Sequence, residues 1–225
     1  LNGGTFEVTL DGATITTGKA MTLDTNITLK TPASVLDGKT VNGSGSITYI
    51  GDTGGADLSK VDVGTSFSSD STFTGTLEDG VEYNVASGVT FTITAAKATG
   101  KNISGSGTIR VTELENTLDA DLSGITVTTF NAFIDSTGNK EFAAAAKLSD
   151  ANIDISGNGT VTAHADATLP SGSGSGFVVG SSATLQLTAT QSHTVPISGS
   201  GNMTVTGLEN KTNADLSGIT TSGTN

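Results

Sequence analysis

Residues 26–50, NITLKTPASVLDGKTVNGSGSITYI, lie over residues 88–111, GVTFTITAAKATGKNISGSGTIRV, at a constant offset of 62 and without a gap. Gly38 falls on Gly100, Lys39 on Lys101, Val41 on Ile103, Gly43 on Gly105, Gly45 on Gly107 and Ile47 on Ile109. A third copy, ATLQLTATQSHTVPISGSGNMTVTGLENKTNADLSGIT (183–220), lies over 89–126 at an offset of 94, setting Ile197 on Ile103, Gly199 on Gly105 and His193 on Thr99. A fourth, AAKLSDANIDISGNGTVTA (145–163), carries two extra residues and lacks the closing ADLSG. The reading is a single continuous array over 1–225, with modules at approximately 12–65, 75–129, 130–168 (truncated) and 169–225.

Inside a module, apolar residues alternate with Thr and Ser, as in TFEVTL, VTFTIT and MTVTG, and β-branched residues on a period of two mean strands. The apolar pairs return: Phe91/Ile93, Ile109/Val111 and Ile125/Val127 are 18 and 16 positions apart, and Leu185/Leu187, Met203/Val205 and Ile219 repeat that spacing. Equivalent side chains recurring at such intervals are what a solenoid requires, since each coil places them over their predecessors at the strand spacing of about 4.8 Å. Ile103 and Leu122, 19 apart, are expected to form a second stacked face. The predicted class is therefore all-β, a parallel β-solenoid of imperfect modules with coils of about 18 residues. The alternative is two tandem β-sandwich domains, whose strands need not resemble one another. Helix is expected almost nowhere; NKEFAAAAKLSD (139–150) is predicted as a short helix or tight turn.

The two glycines of each SGSG segment are predicted to take conformations closed to residues with a Cβ, turning the chain between faces. A phosphate-cradling loop would need a helix and a Lys after it, and TIRVT is a strand. The phrases GADLSKVD (55–62), DADLSGIT (119–126) and NADLSGIT (213–220) place Leu58, Leu122 and Leu216 in the core. They leave Asp57, Asp121 and Asp215 to cap backbone N–H groups in Asx turns. An alternative assigns these three carboxylates to a calcium ladder, calcium then being the only cofactor of the chain. GDTGGADLS (51–59) departs from the RTX nonapeptide at its third Gly and is not tandem.

ADLSG resembles a unit of the pentapeptide-repeat family, used here once per module rather than in tandem; the resemblance implies an inward Ala–Leu corner. The dense threonines of TITTG, TVTTF and TVTG would resemble an ice-binding face, although Thr is also simply the polar residue that suits a strand surface. Sequons at Asn26, Asn102 and Asn202 are expected by chance in a chain so rich in Ser and Thr.

The formal charge of −12 and a single Arg, Arg110, speak against nucleic acid, and an acidic surface against anionic membranes. No apolar run is long enough to span a bilayer, and LNGGTFEVTL lacks the basic n-region of a signal peptide. With no Cys, stability is expected from repetition or from bound ions. Catalysis on a polysaccharide would call for grouped carboxylates, bases and aromatic platforms, and the chain offers His164, His193, two Tyr and no Trp. The nearest constellation is Asp150, Asp154 and His164; GSGSG (172–176) satisfies a nucleophile-elbow string through low complexity alone. No catalytic residue is assigned.

The pattern LTAxxAxGKxISGSGTIxVTxLExxxxADLSGIT resembles the repeats of long bacterial surface proteins, namely adhesin stalks, S-layer-like proteins and extracellular filaments. That resemblance implies an exported, non-enzymatic structural element. Because no amphipathic cap is evident at either end, the chain is expected to be a piece of a longer array or to associate with copies of itself end to end. The alternative is an adhesin-like module binding calcium or a cell-surface glycan.

Overall fold

The computed structural model describes residues 6–10, 15, 19–148, 150–171 and 174–224. Most of TITTG, Ser149, and Gly172 and Ser173 of GSGSG lie outside these residues. The chain forms two compact units, Leu1–Arg110 with Gly124–Thr129, and Val111–Ser123 with Phe130–Asn225.

In the first unit the strands Phe6–Thr9, Ile27–Thr31, Ser46–Tyr49, Gly64–Phe67 and Glu82–Val85 form one ladder in chain order, continued by the start of Asn102–Thr112. Each pairing is parallel. Thr28 lies beside Ser46, Ser46 beside Gly64 and Thr65 beside Tyr83, three successive steps of 18 residues. A further parallel pair joins Ser71–Phe73 to Thr90–Thr94.

In the second unit the end of Ile125–Asp135 is followed by Asn152–Ser156, Gly176–Val179, Ile197–Gly199 and Ile219–Thr221 in one parallel ladder. A second ladder runs through Lys140–Phe142, Thr160–Ala163, Thr184–Thr188 and Asn202–Thr206, also parallel. Strands that pair with their successors, one coil later and in the same direction, make a β-solenoid. Face-to-face antiparallel layers are not what these residues build. The coil is 18 residues where Leu185 meets Met203, and 24 where Asn152 meets Gly176.

The core is the inward column of each ladder. In the first unit Tyr49, Phe67, Phe73, Tyr83 and Phe91 are buried, and the Phe67 ring stacks on Phe91 at 4.0 Å between centroids and on Tyr83 at 6.0 Å. In the second, Ile153, Phe177 and Ile197 form one buried column and Leu185 with Met203 another. Apolar alternation along each strand, repeated each coil, removes a continuous stripe from water.

The 16-residue step does not stack. Leu185 and Leu187 lie beside Met203 and Val205 as expected, but Ile219 lies beside Ile197, 22 residues back. Leu185/Leu187 and Met203/Val205 share one ladder, whereas Ile219 belongs to the other, and the Leu208–Asn210 turn and ADLSG corner lengthen the return. Of the expected second face, Ile103 sits beside Tyr83 in the first unit, and the Leu122 N–H donates to the Lys147 carbonyl in the second.

Among the described residues helix is confined to single turns at Ala95–Ala98, Ala33–Leu36, Leu114–Asn116 and Leu208–Asn210. NKEFAAAAKLSD yields a strand, Lys140–Phe142, and then a tight turn closed by the Ala146 N–H on the Ala143 carbonyl at 3.0 Å. Inward Phe142 and Leu148 fix that segment as wall, overriding the helix preference of its alanines.

Candidate functional site

The repeated words are the residues most expected to carry function, and the structure engages them with the neighbouring coil. At the corner between strands, Gly43, Gly105 and Gly199 take φ of +121°, +123° and +114°. A Cβ on any of them would run into the backbone of Leu23, Val85 or Val179 of the preceding coil. The second glycines, Gly45, Gly107 and Gly201, lack the positive φ but are equally crowded, Gly107 by the Val85 side chain and the Val89 carbonyl. Both positions exclude a side chain by crowding, and the first by its positive φ as well.

Each ADLSG carboxylate accepts from the backbone N–H two residues on: Asp57 Oδ1 from Ser59 at 3.1 Å, Asp121 from Ser123 at 3.1 Å and Asp215 from Ser217 at 3.0 Å. These are the Asx turns the sequence predicts. Asp57 and Asp215 are held below the usual carboxylate range by the hydrogen bonds from Ser59 and Ser217. Asp121 is held there first by Lys147, whose Nζ sits 2.6 Å from Oδ2, and then by Ser123. The corner leucines Leu58 and Leu122 are buried with Ala56 and Ala120, whereas Leu216 and Ala214 stay partly exposed. Among the described residues no group of three or more His, Asp and Glu gathers where a metal ion could be held.

A second set of polar residues reaches across coils, and the sequence reading missed it. Asp37 Oδ1 accepts from the Asp57 N–H at 2.8 Å, Asp70 from Thr90 at 2.7 Å, Asn139 from Thr160 at 2.8 Å, and His193 Nδ1 from Asp215 at 2.9 Å. Gln191 clamps a corner from both sides, its Nε2 donating to the Ala163 and His164 carbonyls at 3.0 and 2.9 Å and its Oε1 accepting from the Thr188 N–H at 3.0 Å. The signal was an Asp, Asn or His about one coil ahead of its partner, which cannot be read until coil length is known. Lys101 is half-buried, its Nζ donating to the Leu77 carbonyl at 2.9 Å and pairing with Asp79.

The structure sets two members of the Asp150, Asp154 and His164 constellation on different ladders. Asp154 sits in the strand Asn152–Ser156, while exposed His164 follows a strand of the other ladder. The imidazole Nδ1 accepts from the Asp166 N–H at 3.2 Å and lies 3.5 Å from that carboxylate. Open grooves line the walls. One of about 510 Å³ is bordered by Asp52, Asp70, Thr72, Thr90 and Thr92, and its two carboxylates already accept backbone N–H groups.

No helix among the described residues is long and apolar enough to cross a membrane. Compared with known proteins, the chain matches no family model, no curated protein and no solved structure.

Proposed function

We propose that this β-solenoid repeat protein is a non-enzymatic structural element of the bacterial exterior, a segment or subunit of a stalk, surface layer or filament that associates with copies of itself through solenoid edges. One observation carries the reading: the recurring glycines and the cross-coil acceptors contact the adjacent coil, while the Asx carboxylates fix the corners between strands. A module whose repeated residues serve stacking is built to be extended, since each added coil presents the surface that the next one needs. The Thr/Ser/Gly/Asn-rich, Lys-poor and Cys-free composition, taken together, supports an exported setting.

Self-association is supported by Phe6–Thr9. Val8 stands in register with buried Leu29, and Phe6 with Ile27, yet Phe6 and Val8 are 58% and 46% exposed. Apolar side chains of a paired strand that stay exposed among the described residues favour a further coil, which a second copy can supply.

Sedimentation and negative-stain imaging of the purified chain over a range of concentrations test the proposal. Concentration-dependent rods or sheets are expected. Monomers at every concentration, or turnover of a polysaccharide, would overturn it.

A further inference from the structure

The offsets of 62 and 94 carry Asp37 onto Thr99 and Thr99 onto His193, so one corner of the coil holds an Asp, a Thr and a His in three modules. In the first and last modules this side chain does the same work. Asp37 accepts the Asp57 N–H at 2.8 Å, and His193, through Nδ1, accepts the Asp215 N–H at 2.9 Å. In the middle module the Thr99 hydroxyl turns back to the Ala95 carbonyl at 2.9 Å. Asp and His differ in what a proton does to them. A carboxylate keeps its acceptor lone pairs throughout the neutral range, whereas imidazole offers one acceptor nitrogen when neutral and none when protonated.

We propose that His193 is a pH-sensitive latch on the corner formed by residues 213–218: neutral, it holds the Asp215 N–H, and protonated, it releases that N–H and turns to the Asp215 carboxylate. The surroundings permit the exchange. The groove beside the ring is lined by Ala165, Ala167, Leu169, Thr190, Gln191 and Val195, none of them charged. The carboxylate whose charge reaches His193 belongs to Asp215, and its Oδ1 accepts from Ser217. At the neighbouring corner His164 and Asp166 lie 3.5 Å apart and are occupied with each other.

This corner is also the one that gains most from a latch. Ala214 and Leu216 are partly exposed, where Ala56, Leu58, Ala120 and Leu122 are buried, so less apolar burial holds it down. Besides His193, the Thr194 N–H tethers it through the Asp215 carbonyl and the Ile197 N–H through the Gly218 carbonyl, both at 2.9 Å. The strand Ile219–Thr221, which pairs with Ile197–Gly199, follows directly. Release of the latch therefore loosens the coil that this strand belongs to, and acid weakens that edge of the second unit.

Amide hydrogen exchange of the ¹⁵N-labelled full chain, read between about pH 8 and pH 5 and corrected for intrinsic rates, tests the latch. Protection at the Asp215 amide is expected to fall about tenfold toward the acid end, the equivalent of one hydrogen bond's net contribution. The Asp57 amide, held by Asp37, should stay constant and serves as the internal reference. His193→Asp, which installs the first module's acceptor, should keep Asp215 protected across the range, and His193→Ala should leave it unprotected throughout. Asp215 protection independent of pH in the native chain, or falling equally in His193→Asp, would overturn the proposal. Should His193→Asp fail to fold, the comparison of Asp215 with Asp57 in the native chain decides alone.

Discussion

Gly105 runs against the backbone of Val85 one coil earlier, with φ of +123° and no room for a Cβ between the two chains. The same contact joins Gly43 to Leu23 and Gly199 to Val179, so the corner is a backbone-to-backbone contact repeated in three modules. Gly80 makes a useful contrast, because its φ of +77° is also positive but nothing lies within 4 Å of its would-be Cβ. Gly80→Ala should cost about 1 kcal/mol, the conformational part alone. Gly105→Ala should cost at least about 3 kcal/mol, because a clash is added to strain. Urea unfolding of both variants measures the difference, and equal losses would refute the packing argument.

Phe67 is the centre of the aromatic column, 1% exposed and in ring contact with Tyr49, Tyr83 and Phe91. Phe67→Ala should destabilise the first unit by about 3–5 kcal/mol, since neighbours fixed by ladder hydrogen bonds cannot collapse into the space. Phe67→Leu should recover most of the loss. Denaturant midpoints for the two variants check the order.

Two buried tyrosines differ in their hydroxyls. Tyr83 Oη donates to the Glu78 carbonyl at 3.3 Å, whereas Tyr49 Oη has no partner among the described residues. Burial pushes both phenols far up, Tyr49 further. Tyr49→Phe should leave stability unchanged or slightly raised, and Tyr83→Phe should lower it by about 1 kcal/mol. Thermal unfolding of the pair would show the reverse order if the hydroxyl of Tyr49 were satisfied.

Four carboxylates at corners, Asp57, Asp121, Asp135 and Asp215, are held below the usual range by the bonds they accept, Asp121 chiefly by Lys147. A depressed folded pKa contributes stability that is fully present above the unfolded value of about 4 and is lost as pH falls through the folded value. Melting temperature should therefore fall steadily below about pH 4. Asp57→Asn keeps an oxygen for the Ser59 N–H and removes the titration, so its acid-side decline should be shallower than that of the native chain. Parallel melts from about pH 5 down to pH 2 test this; identical slopes would count against it.

Much of this molecule is written in one dimension. Alternation of apolar and β-branched residues sets the strands, glycine pairs mark the corners, and gapless self-alignment says that the same coil is built again; Asp57, Asp121 and Asp215 could be assigned to Asx turns because that bond spans two residues. What spans a whole coil was not legible. Whether Ile219 returns over Met203 or over Ile197 depends on how many residues the intervening corner consumes, and the ladder closes at Ile197 because only there do both backbone hydrogen bonds and core side chains align. The cross-coil acceptors Asp37, Asp70, Asn139 and His193 find their donors only through that register. Local geometry is fixed by chemistry between sequence neighbours, but coil length is a balance of corner packing against ladder alignment, and only the folded chain strikes it.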